Sequence, residues 1–299
     1  MKLSVCIPTY SPEATLAATI DSLICQKEKI DQLVIVIDNK KHAGYKETLE
    51  NKYSGIFNLT AHVQPNTGRA GARNKCAQLA TGDVLLFLDD DMLTSPDLVS
   101  KHLAYHEKGN KVVVGNGYRD ETKARNDFAK YLVAVDKIWQ RGIPEKCEVT
   151  YQAFVFTACN MSISKAVFEQ FNGFDARLKD SEDFDLGMRL LEGGMRIMYD
   201  RTLLAWPSDW PDIRGFISRH NSYAAGKKEL VKLHPEYLKH FPGLLPSPAS
   251  ILKKMILRMI KVTICKAVLN DSFIFRALPL GNKFTLYRLT VAVYSDTNR

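Results

Sequence analysis

The chain has 299 residues, 45% of them hydrophobic and 25% charged, a globular composition that excludes global disorder and suffices for one large α/β domain or a domain with an appendage. No uninterrupted apolar stretch approaches the roughly 20 residues needed to span a bilayer, so an integral membrane protein is excluded, while a chain lying on a membrane is not. The formal net charge of +8 and pI near 9.0 point to an anionic partner: nucleotide phosphates, anionic lipid or nucleic acid. Basic residues do not cluster with aromatic platforms, which disfavours nucleic acid.

The chain opens with the apolar run Leu3–Ile7, read as a strand, with no long apolar leader before it. A helix is predicted over Pro12–Cys25, with Leu16, Ile20, Leu23 and Ile24 on one side. Leu33–Ile37 is a second strand, Tyr45–Tyr53 a weaker helix, Phe57–Val63 a third strand and Arg69–Leu79 a helix. Val84–Leu88 is a fourth strand, followed by a helix over Ser95–His106 with Ser95 as N-cap and Pro96 at its first position, then the strand Val112–Val114. Continuous apolar strands separated by helices predict a mostly parallel sheet covered on both faces. Ligands of such sheets bind beyond the carboxyl ends of the strands, where Pro8-Thr9-Tyr10, Asp38 and Asp89-Asp90-Asp91 fall.

From Ala124 the alternation breaks down into an amphipathic stretch to Trp139 and short runs at Ala153–Phe156 and Met161–Ile163. Another helix is predicted from Ser181, as N-cap, to a glycine stop at Gly193-Gly194. The proline-rich segment His240–Ser250 reads as a linker, within which residues 241–250 separate a catalytic domain (1–240, halves 1–120 and 121–240) from a basic C-terminal region (251–299). In that region Leu252, Ile256, Ile260, Thr263, Ile264 and Ala267 fall on one side of a helical wheel, with Lys254, Arg258 and Lys261 elsewhere, as in a helix lying on a membrane or one packed on the domain with a solvated basic face. Cys6, Cys25, Cys76, Cys147, Cys159 and Cys265 are scattered without metal-ligand spacing and read as reduced thiols of a cytosolic protein.

Three consecutive aspartates, Asp89-Asp90-Asp91, end the fourth strand. Carboxylates packed this closely repel one another and invite a hard divalent cation, Mn²⁺ or Mg²⁺, with a phosphate-bearing ligand completing the shell; alone, the triplet is equally a solvated turn. Pro8-Thr9-Tyr10 offers a stiffened turn with a hydroxyl and a ring that suits a nucleobase or an ordinary strand-to-helix turn. Asp38 can accept a hydrogen bond from an imide N–H of uracil or cap its loop. Asn66–Asn74 opens a helix with small residues, and Arg69 and Arg73 share a face that can meet a phosphate, an aspartate or solvent. Glu182, Asp183 and Asp185 either stabilise the first turn of their helix or place a general base in a cleft fixed by Phe171-Asn172-Gly173-Phe174-Asp175. No G-x-G-x-x-G follows the first strand and no P-loop occurs, so hydride transfer and P-loop chemistry lack support.

Taken together, Ser4–Tyr10, Leu33–Asp38, Gly68–Asn74 with Ala80-Thr81-Gly82-Asp83, Phe87–Asp91 and Glu182-Asp183 resemble, in order and spacing over residues 1–230, the family 2 glycosyltransferases of GT-A fold. The resemblance implies an α/β fold with a helical C-terminal appendage and inverting transfer from a nucleotide-diphosphate sugar, a UDP-sugar, to a saccharide or lipid-linked saccharide hydroxyl. It implies nucleotide-sugar binding by Pro8, Thr9, Tyr10, Asp38, Arg73, Asp89 and Asp90, metal binding by Asp91 and Asp89, and catalysis by Glu182 and Asp183, with the aspartate as base. It also implies a cytoplasmic enzyme, peripheral on the inner face of the cell membrane. The chain departs from the family where many members carry a metal-binding histidine: it reads Trp206-Pro207-Ser208-Asp209, and the nearest histidine is His220. A nucleotidyltransferase of sugar phosphates and a non-catalytic membrane-associated scaffold are the competing readings; the first would want a glycine-rich basic loop after the first strand.

Overall fold

The computed structural model describes residues 1–245 and 265–295. The chain divides into two compact units, Met1–Tyr118 with Gly142–Asp209 and Arg119–Arg141 with Trp210–Arg299. This division crosses the expected domain boundaries, because two segments placed with the catalytic domain group with the C-terminal helices instead.

The first unit is built on an eight-stranded sheet in the order β3-β2-β1-β4-β8-β6-β9-β7. Its strands are β1 (Leu3–Thr9), β2 (Gln32–Ile37), β3 (Leu59–Val63), β4 (Val84–Leu88), β6 (Val112–Val114), β7 (Lys146–Glu148), β8 (Asn160–Ser164) and β9 (Ile197–Asp200). β1 pairs in parallel with β2 and β4, β2 with β3, and β6 with β9, while β8 runs antiparallel to both β4 and β6, and β7 to β9. β2 and β4 are buried along their whole length, as continuous apolar strands covered on both faces must be. Alternation divides the core accordingly: Leu3, Val5, Ile7, Val84, Leu86 and Leu88 pack on one face, Cys6, Leu85 and Phe87 on the other. The helices are α1 (Leu16–Leu23), α2 (Tyr45–Tyr53), α3 (Gly68–Leu79), α4 (Leu98–Glu107), α6 (Lys165–Gln170) and α7 (Glu182–Glu192), and a two-stranded sheet joins β5 (Met92–Thr94) to β10 (Ala205–Pro207).

Several elements differ locally from expectation. The first helix is shorter at both ends than Pro12–Cys25 and continues into a 3₁₀ segment, Ile24–Lys29. The fourth begins at Leu98 with Asp97 at the N-cap, because Ser95 Oγ donates to Asp97 Oδ1 (2.7 Å) and the backbone of Pro96 and Asp97 forms a turn. The run Ala153–Phe156 is irregular, its Phe154 and Phe156 packing against the core from a loop, and Met161–Ile163 is the middle of β8.

The second unit contains α5 (Asp127–Trp139) and α8 (Ile213–Leu233), with α9 (Lys266–Leu269), α10 (Phe273–Arg276) and α11 (Leu280–Tyr294). Asn126 and Asp212 cap α5 and α8 by accepting from Ala129 N and Gly215 N, each at 2.8 Å. The apolar side of α5 (Phe128, Tyr131, Leu132) packs with Val268, Phe275 and Tyr287 into a separate small core. Of the linker over 241–250 and the helical wheel from Leu252 to Ala267, residues 246–264 lie outside the described residues; Ala267, in α9, is half-buried. Among the described residues no helix is long and apolar enough to cross a membrane.

Candidate active site

Strand order reverses at β1, which lies between β2 and β4, and the crevice beyond the carboxyl ends of such strands is where ligands bind in open α/β sheets. Cys6 stands level with Phe87 in the β1–β4 register. Three residues further along both strands come Thr9 and Asp90, and the Thr9 hydroxyl donates to the Asp90 carboxylate. Thr19 Oγ1, from α1, donates to the Asp90 carbonyl at 2.8 Å, so the turn is held from two sides. Burial, with the neighbouring charges of Asp89 and Asp91, pushes the Asp90 carboxyl up to about 7, against the Thr9 hydrogen bond. Pro8 is half-buried in β1, whereas Tyr10 stands 55% exposed, a ring free to meet a planar ligand.

Asp38 follows β2, its N–H donating to the Thr9 carbonyl at 2.8 Å. Its buried carboxylate accepts from Thr67 N (2.9 Å to Oδ1), Gly68 N (3.0 Å), Thr67 Oγ1 (2.9 Å) and Gln64 Nε2 (2.8 Å). Of the two roles the sequence allows, capping is the one this side chain fills here: it fastens the first turn of α3 to the end of β2. Gly68 turns the chain at φ 79°, a left-handed conformation that favours glycine, and presents its N–H to Asp38.

Arg73, one turn into α3, is 4% exposed. Its Nη2 donates to Asp89 Oδ1 at 2.6 Å and its Nη1 to Glu182, so one guanidinium joins the two acidic motifs. The guanidinium carbon lies 5.6 Å from the centre of the Phe174 ring, which packs edge-on against Phe87 (5.4 Å). Burial opposes the charge on Arg73, but Asp89, Glu182 and Asp183 more than offset it and hold the pKa above its ordinary value. Among the described residues neither Arg73 Nε nor Glu182 Oε2, both buried, has a hydrogen-bond partner. Burial and the adjacent Asp183 charge push the Glu182 carboxyl up to about 7, with Arg73 pulling the other way. Arg69, the other arginine on this face, pairs with Asp180 (3.4 Å).

Glu182 and Asp183 begin α7 as a pair with opposite exposure: Glu182 is buried against Arg73, while Asp183 is half-exposed. Asp183 Oδ1 accepts from Phe184 N at 2.8 Å and Oδ2 from Ala158 N at 3.4 Å. Ser181 occupies the N-cap position but makes no side-chain cap; its backbone is left-handed (φ 66°), a conformation costly for a residue with a side chain. The Phe171–Asp175 turn fixes this helix start. Asn74 Nδ2 donates to the Phe174 carbonyl (2.8 Å) and Asn74 Oδ1 accepts from Phe174 N (2.9 Å), while Arg189 Nη2 donates to the Gly173 carbonyl (2.8 Å) and to Asp185 Oδ2 (2.7 Å). A side chain at Gly173 would put a Cβ 2.7 Å from Asn74 Oδ1.

Sequence alone gives Asn74, which closes the Gly68–Asn74 motif, Arg189 and the Cys159 thiol no individual part in the site. Arg189 had a signal, since it stands four residues after Asp185 on one helix. Cys159 had none: Asp89 N donates to its carbonyl at 3.3 Å, extending the β4–β8 ladder past the Leu88–Asn160 pair. Its thiol is pushed up to about 12 by burial, with Asp89, Asp183 and Asp91 adding to the rise. One small half-buried side chain is thus within electrostatic reach of all three acids.

Asp91 precedes β5, and its carbonyl accepts from Ser208 N (2.7 Å) just after β10, so the strand pair brings the Trp206–Asp209 segment to the aspartates. His220 lies in α8 of the second unit, half-buried, its pKa lowered by burial and by Lys227. Among the described residues no three His, Cys, Asp or Glu side chains form a metal cage. The donors present are nonetheless hard carboxylate oxygens whose mutual repulsion is felt at Asp90. That fits a divalent cation held by one or two carboxylates and completed by substrate phosphate, the usual manner of Mg²⁺.

A family model described as Glycosyl transferase family 2 matches residues 4–171. The chain is 25% identical over 257 residues to the uncharacterized glycosyltransferase YfnE of Bacillus subtilis, covering 71% of this chain and 66% of that one. It is 28% identical over 184 residues to the glucosyl-dolichyl phosphate glucuronosyltransferase of Haloferax volcanii (58% and 56%). It is 27% identical over 262 residues to a validoxylamine A glucosyltransferase of Streptomyces hygroscopicus (79% and 62%). The matches thus span between 56% and 66% of these relatives' own length. Among solved structures, the mannosyltransferase PcManGT of Pyrobaculum calidifontis in complex with GDP-Man and Mn²⁺ superposes with a TM-score of 0.60 at 14% identity (98% of this chain, 85% of that one). S. aureus TarS 1-349 in complex with UDP gives 0.54 at 17% (98% and 89%). At these identities the structural likeness speaks for the fold.

Proposed function

The chain belongs to glycosyltransferase family 2, with the GT-A fold, and from this we propose that it moves a sugar from a nucleotide-diphosphate donor, a UDP-sugar, to a hydroxyl of a saccharide or lipid-linked saccharide, with inversion at the anomeric carbon. The observation that carries the reading is the Arg73 bridge. It ties Asp89, at the strand end where donor phosphates bind in such sheets, to Glu182, beside a half-exposed Asp183.

In this reading Tyr10 and the Pro8–Thr9 turn receive the nucleobase, and Asp38 keeps α3 in register beneath it through Thr67 and Gly68. Arg73 is too enclosed to serve chiefly as a phosphate clamp; it orients Asp89. Glu182 positions Arg73, and Asp183 takes the proton from the acceptor hydroxyl as the sugar is transferred. Asp91 and Asp89 would hold Mn²⁺ or Mg²⁺, which would offset the negative charge of the leaving diphosphate. The ligands named with the fold neighbours, GDP-Man and UDP, support a nucleotide sugar, and UDP-sugars are the first to try. The same reading places the enzyme in the cytoplasm at the inner face of the cell membrane.

Incubation with a panel of UDP-, GDP- and TDP-sugars, scored for nucleotide release with and without saccharide acceptors, tests the assignment. Release from one donor and stimulation by an acceptor are expected. No release from any donor in the presence of Mn²⁺ or Mg²⁺ would count against it.

A further inference from the structure

The net charge of the chain is not spread evenly. Met1–Tyr118 with Gly142–Asp209 carries 20 Lys and Arg against 24 Asp and Glu, a net charge of −4. Arg119–Arg141 with Trp210–Arg299 carries 21 against 9, a net charge of +12. Exposed large apolar side chains divide in the same way. Of nine among the described residues, only Met1 and Tyr10 belong to the first unit; Ile138, Trp139, Tyr223, Leu233, Phe273, Ile274 and Leu280 belong to the second.

The most exposed of them are adjacent. Phe273 is 85% and Ile274 77% exposed, at the start of the short helix α10. The same helix buries Phe275 against Tyr287 (ring centres 5.3 Å apart), so its inner side is anchored while its tip presents two large apolar groups to solvent. Ser272 caps it by accepting from Phe275 N (3.3 Å), which fixes the tip in place. Lys266 and Arg288 are exposed on the flanking helices, as is Arg276 on this one, where it pairs with Asp271 at 2.7 Å.

We propose that this unit docks on an anionic lipid surface, with Phe273 and Ile274 entering the headgroup–acyl boundary and the surrounding lysines and arginines facing the lipid phosphates. Charge complementarity selects the partner: a basic surface is drawn to a negative leaflet, and apolar side chains at its tip gain only where there is an apolar layer to enter. Of the two tip side chains only Phe273 is aromatic, so the tip offers no succession of rings on which consecutive bases could stack. The proposal deepens the peripheral location given under the proposed function; the apolar tip lies wholly in described residues, which carry 16 Lys and Arg against 8 Asp and Glu in this unit, and the remaining charge of +4 comes from residues outside them.

Flotation of the full chain with phosphatidylcholine vesicles, with and without phosphatidylglycerol, tests it. Binding is expected only with phosphatidylglycerol and is weakened by salt. The double variant Phe273→Ser/Ile274→Ser should bind at least about tenfold more weakly, from the apolar area no longer buried. Both side chains are exposed, so its melting temperature should match wild type. Absence of wild-type binding at low salt would overturn the proposal, as would undiminished binding of the double variant. Sedimentation of wild type as a dimer that the double variant dissociates would reassign the tip to self-association. Tighter binding to a single-stranded oligonucleotide than to anionic vesicles at equal salt would reassign the surface to nucleic acid. Either result also overturns the proposal.

Discussion

Glu182 and Asp183 are neighbours in sequence and separated by burial. The first is enclosed with Arg73, the second reaches solvent, so their substitutions should fail in different ways. Asp183→Asn keeps the shape and an acceptor oxygen for Phe184 N at the helix start, giving up the longer bond from Ala158 N, and should retain donor binding by calorimetry while sugar transfer falls roughly 10²–10⁴-fold, the usual contribution of a positioned base. Wild-type turnover in the folded variant would reduce Asp183 to a helix cap. Asp90 gives a second residue-scale outcome through pH. Its carboxyl is pushed up to about 7, above the ordinary 3.8 it takes in the unfolded chain, so the stability its protonated form contributes is complete below pH ~4 and is lost as pH rises through about 7. Asp90→Asn preserves an acceptor for the Thr9 hydroxyl and removes the charge. In metal-free buffer the variant should therefore gain melting temperature over wild type as pH rises from about 5 to 8, and lose the advantage near pH 4. A constant offset across that range would show that Asp90 does not titrate there.

At the scale of elements, the site is made by tying α3 to the turn before α7. Asn74 is the tie, since it exchanges both hydrogen bonds with the Phe174 backbone. Asn74→Ala leaves that N–H and carbonyl without partners in a partly buried place, at a cost of about 2 kcal/mol or more, read by urea unfolding. Transfer should also fall, because Phe174 supports Arg73 and the turn sets the start of α7. A variant as stable and active as wild type would remove Asn74 from the architecture. The long apolar strands β1, β2 and β4 and the helix α3 were legible in sequence because continuous burial on two faces leaves one reading of such runs. β7, β9, β5 and β10 were not: they are three or four residues long and of mixed composition, whereas the equally short β6 is three valines and reads as a strand on composition alone. The order of acids and arginines was also readable, but its wiring was not. Nothing in the sequence says that Arg73 faces Asp89 and Glu182 together, or that Asp38 spends its lone pairs on Thr67 and Gly68, because those contacts join residues up to 109 positions apart. Ser181 does sit at the N-cap position, but without the side-chain bond expected of it: its backbone is left-handed, outside the extended region that capping residues adopt.

At the scale of the whole molecule, a net charge of +8 suggests that the chain as such attracts nucleotide phosphates, and its distribution argues otherwise. The unit bearing Asp89–Asp91, Glu182 and Asp183 is net −4, and Arg73, the cation inside the site, is committed to two of these carboxylates. A nucleoside diphosphate approaching this unit meets like charge, and like charges at 4 Å cost about 4 kcal/mol where the effective dielectric constant is near 20. The basic surplus belongs to the other unit, where added salt screens it at about 8 Å under physiological ionic strength. Divalent cation, not the protein's own positive charge, should therefore control donor binding. Calorimetric titration of UDP is expected to weaken at least tenfold when Mn²⁺ or Mg²⁺ is replaced by EDTA, and the loss should not be recovered by lowering the salt. Equal affinity with and without the metal would mean that Asp89–Asp91 do not face the phosphates, and the donor would have to be placed elsewhere on the sheet.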